Sequence, residues 1–267
     1  MEKIIVLGTG HALATRYYNT CFVLCNDNDY LLVDGGGGSG ILSRISEAKI
    51  EWSNLHNIFV THEHTDHLFG AIWAIRKIAL LMLNKEYSGV LSVYCHQRLL
   101  DIIEIICGLT LRPVETQLIG DRILLIPVKD GDIKKIIGYN CTFFDIHSKK
   151  ALQFGCNIIL NSKKKLACIG DEPFNKACLP YVKGVDWLLT EAFCLYEHRN
   201  IYNPYQYYHS TVKEACEAAG LVGAKNIVLW HTEDDTLSKR KILYTEEGKQ
   251  YFDGNIIVPD DLEQIML

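Results

Sequence analysis

No linker divides this chain of 267 residues. It has no Pro/Ser-rich stretch, no low-complexity run and no internal repeat, so a single domain over residues 1–267 is expected. A hydrophobic content of 48% is enough to bury a large core at this length. The sequence also lacks an apolar run long enough for a bilayer: the longest, Phe69 to Leu83, carries Arg76 and Lys77. Its first residues, Met1 to Gly8, have no basic segment, apolar stretch and small-residue cleavage site in series. They read as a first strand, and a cytoplasmic location is the expectation. The ten cysteines lack CxxC spacing and mostly sit inside apolar runs. That pattern describes small buried hydrophobes in a reducing compartment, not a disulfide framework. Excess positive charge is missing too. With a net charge of −5 and a pI of about 6.1, a broad face for a long polyanion is not expected. The clusters Lys134-Lys135, Lys163-Lys164-Lys165 and Lys239-Arg240-Lys241 read as solvated turns. Lys149-Lys150 is set apart, because it directly follows a candidate site histidine, His147.

What is present is dense in one place. Thr61-His62-Glu63-His64-Thr65-Asp66-His67 follows the apolar stretch Asn57-Ile58-Phe59-Val60. Imidazole nitrogen and carboxylate oxygen are the usual ligands of borderline and hard divalent cations. In an extended segment His62 and His64 project to the same side, one residue apart. Asp66 and His67 are adjacent and reach different points. One pair is therefore suited to one metal ion and the next pair to a second. Three protein ligands with an open position mark a catalytic rather than a structural zinc site. Two such sites roughly 3.5–4 Å apart can share a water and lower its pKa.

The HxHxDH pattern of His62, His64, Asp66 and His67 resembles the metallo-β-lactamase fold superfamily. The resemblance implies a four-layer αββα sandwich with a dinuclear metal site at one edge. It also implies three further ligands in order: a His, a bridging Asp and a final His. His147 after Phe143-Phe144-Asp145-Ile146, Asp171 after Ala167-Cys168-Ile169-Gly170, and His231 after Asn226 to Trp230 fill those places. The set is then His62, His64 and His147 on one metal, Asp66, His67 and His231 on the other, and Asp171 between them. Zinc suits these ligands, as do manganese and iron. Asp34, in Val33-Asp34-Gly35, resembles the strand-end Asp that orders the metal loop, and it could accept a hydrogen bond from a ligand His. The glycine run after it lacks the Lys and spacing of a phosphate loop.

A second motif narrows the branch. His209-Ser210-Thr211 precedes Val212-Lys213-Glu214-Ala215, which reads as a helix capped by Ser210 or Thr211 with Glu214 in its first turn. Such a helix start attracts anions, and a His beside it can pass a proton to a leaving group. This run, with Leu7-Gly8-Thr9-Gly10 and Thr190-Glu191-Ala192-Phe193, is similar to ribonuclease Z and its phosphodiesterase relatives. The resemblance implies a metal-dependent hydrolase whose dinuclear-site hydroxide attacks phosphorus. Asp66 would accept the nucleophile's proton, His209 would protonate the leaving oxygen, and Glu191 would orient His209. The chain departs from ribonuclease Z in one respect. The long tRNA-gripping arm of that family would fall between His147 and Asp171, where only a hairpin fits: Leu152 to Leu160, a turn, then Lys165 to Ile169. The expected substrate is therefore small and anionic, not a long RNA or tRNA. Relatives of this branch are often dimers, so a homodimer is expected by resemblance. Two alternatives stay open: a lactone, thioester or other acyl-ester hydrolase on the same site, and a metal-binding accessory or carrier protein without turnover. The tyrosine-rich segment Tyr196 to Tyr208 reads as a loop able to overhang the site, or equally as a plain surface loop. His11 is a candidate substrate contact, and His56 and His96 read as surface residues.

Overall fold

The computed structural model describes residues 2–267. Its strands carry nearly continuous apolar runs because both faces of each sheet are covered. In β1 (Glu2–Gly8), Ile4 and Val6 point to one core while Ile5 and Leu7 point to another. The same division recurs in β2 (Cys21–Asn26), with Phe22 and Leu24 on one face and Cys21, Val23 and Cys25 on the other. The side-chain period of two thus sorts each strand into two layers.

The first sheet contains β1, β2, β3 (Asp29–Val33), β4 (Leu55–Phe59), β5 (Leu91–Cys95), β6 (Ile123–Pro127) and a strand from the far end of the chain. The second contains β7 (Ile133–Ile136), β8 (Tyr139–Asp145), β9 (Phe154–Ile159), β10 (Lys165–Cys168), β11 (Trp187–Glu191), β12 (Asn226–Trp230) and β13 (Asn255–Ile257). The last strand, β14 (Gln264–Met266), returns to pair antiparallel with β1. In each sheet an antiparallel part adjoins a parallel part: β3 to β6 run parallel, and so do β10 to β13. The two sheets face one another across Phe22, Phe59, Phe143, Phe154 and Trp230, with Phe22 and Trp230 stacked at 5.0 Å.

Helices cover the outer faces. Against the first sheet lie α1 (Gly40–Glu47), α2 (Thr65–Leu83), α3 (Gln97–Thr110) and the single turn α4 (Pro113–Thr116). On the other side are the short α5 (Leu179–Val182) and α6 (Arg199–Tyr202), then α7 (Val212–Val222) and α8 (Arg240–Gly248). The architecture is the αββα sandwich expected. No described helix is long and apolar enough to cross a membrane.

A close approach fixes α2 on the loop after β3. A Cβ on Gly70 would stand 1.7 Å from the Gly35 carbonyl oxygen, and one on Gly35 would stand 2.0 Å from Ala71 N. Gly70 N donates to Gly36 O at 2.8 Å, and Gly35 N to His67 O at 2.9 Å. Alanine at a helix interior normally favours the helix by about 1 kcal/mol over glycine. Here Gly70→Ala is expected to destabilise by about 2 kcal/mol instead, because backbone has to move. A melting temperature equal to or above wild type would contradict the contact.

Candidate metal centre

β4 ends at Phe59, and the chain stays extended through His64, whose φ of −62° and ψ of 149° open α2. Asp66 and His67 then lie in the first turn of α2. Asp34, at the end of β3, holds this change of direction. Its Oδ1 accepts from Thr61 N at 2.8 Å, and its Oδ2 accepts from Thr61 Oγ1 at 2.9 Å and His67 Nδ1 at 2.8 Å. The expected Asp34–His contact is thus present. Since Nδ1 of His67 is held by Asp34, its Nε2 faces inward. The Thr61 hydroxyl spends its proton on Asp34 and lies 3.0 Å from His62 Nδ1, so it accepts from that ring and leaves His62 Nε2 directed into the site.

The other candidate residues arrive from the second sheet. Asp171 follows β10 through Gly170, whose φ is +76°. Without a Cβ, that glycine takes the left-handed turn at no steric cost. His231 follows β12 and Glu191 ends β11. His209 precedes α7, whose N-cap is Thr211 in a capping box with Glu214. Three groups offer ligand atoms within 4.8 Å of one another: His62, His64 and Asp171; Asp66, His67 and His231; and Asp171, His209 and His231. Asp171 belongs to two of them. Its Oδ1 lies 3.7 Å from His62 Nε2, and its Oδ2 lies 3.7 Å from His231 Nε2 and 3.9 Å from His67 Nε2.

These residues fit a divalent-cation site. The His67 Nε2 atom is buried without a hydrogen-bond partner, 3.3 Å from Asp66 Oδ2. Burial disfavours a charged ring, yet Asp66 and Asp34 outweigh it and hold the His67 pKa well above the ordinary histidine range. Burial would raise the Asp171 pKa, but His62, Lys150, His231 and His67 keep it well below the carboxylate range. Burial together with His67 pushes His62 well below its usual value. The buried carboxylates here are balanced by neighbouring imidazoles and Lys150, a role that divalent cations could take over.

His147 departs from the expectation. It is exposed and lines a neighbouring pocket with Lys149, Phe174 and Tyr208, outside the three ligand groups. The reason is local. Its φ is +57° and its N–H donates to Asp145 Oδ1 at 2.7 Å, an Asx turn that directs the side chain outward. In the first ligand group Asp171 stands beside His62 and His64 instead.

Glu191 is fully buried and supports His209. Its Oε2 accepts from His209 Nδ1 at 2.7 Å, and its Oε1 accepts from Ser210 N at 2.6 Å. It also lies 3.7 Å from His231 Nδ1. Burial alone would raise the Glu191 pKa, but His209 and His231 hold it below the ordinary value. The open cleft measures about 590 Å³ and is lined by Asp66, Lys150, Asp171, Tyr208, His209 and His231, among others. Gln206, Tyr207 and Tyr208 form part of its wall, so the tyrosine-rich segment does overhang the site. Ala12, not His11, lines the cleft; His11 packs edge-on against Phe193 at 5.0 Å, and burial with the nearby His231 lowers its pKa to about 4. His96 is buried rather than on the surface, because its Nδ1 caps α3 by accepting from Leu99 N.

Three contributors carry little sequence signal. Gln153, 1% exposed, donates to Asp171 Oδ1 at 2.7 Å. Glu172, also buried, organises the turn after His147. Arg240 does not belong to a solvated turn. It is 1% exposed, donates to Thr9 Oγ1 and Thr232 Oγ1, and lies 4.0 Å over the Tyr17 ring.

The metallo-β-lactamase fold protein YhfI from Bacillus subtilis superposes with a TM-score of 0.78 at 18% identity, over 99% of this chain and 98% of that one. The short form of human tRNase Z gives 0.73 at 18% identity over 98% of each chain. A diphosphatase of the PhnP family gives 0.74 at 14% identity over 99% of this chain and 96% of that one. In sequence, the ribonuclease Z of Parabacteroides distasonis is 26% identical over 85% of this chain and 88% of its own length. Fold and site together define a metallo-β-lactamase-fold protein of the ribonuclease Z-like kind. More specifically, residues 2–242 match the family described as Anti-Pycsar protein Apyc1, and the chain belongs to that family.

Two outcomes test the centre. Chelation is expected to lower the melting temperature, and restoring zinc or manganese to recover it, since an ion that binds the folded state stabilises it by mass action. Asp34→Asn is expected to weaken zinc affinity by about 10- to 100-fold, measured against a competing chelator, by releasing the His67 ring from its orientation. Unchanged affinity would remove Asp34 from the centre.

Proposed function

We propose that this protein is a metal-dependent hydrolase that cleaves a phosphodiester in a small nucleotide or similar anionic substrate. The observation that carries this reading is the buried Glu191–His209 pair, set against the ligand cluster at the start of α7. A site for metal binding alone needs no imidazole held in reserve beside an open cleft. The ribonuclease Z relatives support the phosphodiester class.

His62, His64 and Asp171 would hold one divalent ion, and Asp66, His67 and His231 a second, with Asp171 reaching both. Zinc fits the His/Asp donor set, as do manganese and iron. Two such ions supply charge to phosphoryl oxygens and a water acidic enough to attack at neutral pH. The residues do the rest. Asp66 accepts the proton of the attacking water. With Nδ1 held by Glu191, His209 presents Nε2 to the leaving oxygen and delivers a proton there. Glu191 steadies the charged ring before that transfer.

The small-substrate reading follows from what separates Asp145 from Asp171. β9 and β10 form a hairpin with an intervening turn, and no arm extends from it. A net charge of −5 also suits a compact ligand better than a long polyanion.

The test is hydrolysis of bis(p-nitrophenyl) phosphate by zinc- or manganese-loaded protein, followed by small cyclic and linear nucleotide phosphodiesters, a precursor tRNA and a carboxylic ester. Metal-dependent phosphodiester turnover is expected, with kcat reduced about 100-fold or more in His209→Ala. Glu191→Gln should lose a similar factor. Ester turnover that ignores His209 would favour the acyl alternative and end the phosphodiester reading.

A further inference from the structure

The turn after His147 sends two adjacent lysines to different places. Lys149 lines the neighbouring pocket, its Nζ 6.0 Å from the centre of the Tyr208 ring. Lys150 turns inward. Its Nζ donates to Asp171 Oδ2 and to the Asp171 carbonyl oxygen, each at 3.0 Å, with the side chain only 14% exposed. Among the residues that line the cleft, Lys150 is the only lysine or arginine.

Its direction is set by a second residue. Glu172 is 6% exposed and accepts from Lys149 N at 3.0 Å, from Lys150 N at 3.1 Å and from the Ser148 hydroxyl. Ser148 Oγ accepts in turn from Lys150 N and Ala151 N. Glu172 and Ser148 fix the backbone of the turn and Asp171 holds the ammonium group, so little side-chain freedom is left to be lost on binding. The turn therefore presents one ammonium group at one point in the cleft.

A cation in that position does not help Asp171 bind metal ions, since it competes with them for the same carboxylate. Charge counting suggests another use. Asp34, Asp66, Asp171 and Glu191 are buried around the centre, and two divalent ions would cancel those four negative charges. Glu63, also on the cleft wall, is matched by Arg98 at 3.2 Å. The pull of those acids against an anion would then be largely cancelled, and Lys150 is the one lysine or arginine on the cleft wall that can add attraction beside His209.

We propose that Lys150 is a substrate-binding residue whose ammonium group takes a non-bridging phosphoryl oxygen, and that Glu172 is the positioning residue that aims it. The proposal rests on the phosphodiester reading above for its ligand class. Inorganic phosphate serves as the probe, titrated calorimetrically into zinc-loaded wild type, Lys150→Met, Lys150→Arg and Glu172→Gln, with zinc content measured on each. Lys150→Met should weaken phosphate binding about 10-fold, the loss of one charged hydrogen bond, and raise KM for bis(p-nitrophenyl) phosphate more than it lowers kcat. Zinc content should be retained. Lys150→Arg should restore most of the affinity. Glu172→Gln should lose part of it, and nothing more once Lys150 is already Met.

Unchanged phosphate affinity in Lys150→Met overturns the proposal. So does a parallel fall in zinc content, which would make Lys150 a brace for Asp171. The two readings fail separately. Lysine-dependent phosphate binding without phosphodiester turnover keeps the anion site and removes the proposed reaction. Turnover indifferent to Lys150 does the reverse.

Discussion

The Asp34 carboxylate, only 5% exposed, receives three hydrogen bonds from the segment that carries the densest group of candidate ligands. That segment has to be extended at His62 and His64 and helical at His67, within six residues. Neither conformation selects the other. Asp34 does so by holding Thr61 before the change and His67 after it. The carboxylate itself sits on backbone at φ +57°, just beyond the last residue of β3. The next residue, Gly35, admits α2 at backbone contact distance. One strand end thus sets the direction of the loop, the orientation of the His67 ring and the seat of the helix behind it.

This arrangement concentrates unfavourable electrostatics. Asp66, Asp171 and Glu191 are buried together with His62, His67 and His231, and the effective penalty for a buried ion is several kcal/mol even after relaxation. The acids are held low and His67 and His231 high, so each charge relies on its neighbours. Gln153 and Lys150 complete the shell around Asp171. A fold gains no stability from such a cluster by itself, because apolar residues of the same volume would pack at lower cost. Its position at the C-terminal ends of β4, β10, β11 and β12 is where parallel strands of an α/β scaffold present their chemistry.

Much of this could be read from the residues. The long strands were legible because burial on both faces leaves apolar runs such as Ile4 to Leu7 and Ile227 to Trp230. The His/Asp loop was legible because so many polar groups at a strand end have no cheap structural use. The remainder was hidden for definite reasons. β7, β13 and β14 have three or four residues each and include Lys134, Lys135, Asn255 and Gln264, so their period is too short to register. β14 also pairs with the opposite end of the chain, which no local pattern reports. His147 was placed at the right strand end, but position along a strand does not fix the side chain when the backbone turns left-handed. Arg240 sits in a basic run like any surface turn. Only the fold brings Thr9, Tyr17 and Thr232 around it.

The ten cysteines, all unpaired and buried, bear on the order of assembly. Burial pushes the thiols of Cys107, Cys141, Cys168, Cys178, Cys194 and Cys216 up to about 12, so in the folded chain they stay protonated and poor at binding soft metals. In the unfolded chain the same sulfurs have ordinary acidity and are strong zinc ligands. A chain that met zinc before collapsing would therefore be offered ten soft traps distributed along its length, in competition with a site that exists only once two sheets have met. Closing the core thus does two things at once for a metal: it protonates and hides the soft sulfur ligands, and it brings the His/Asp cluster of the two sheets together.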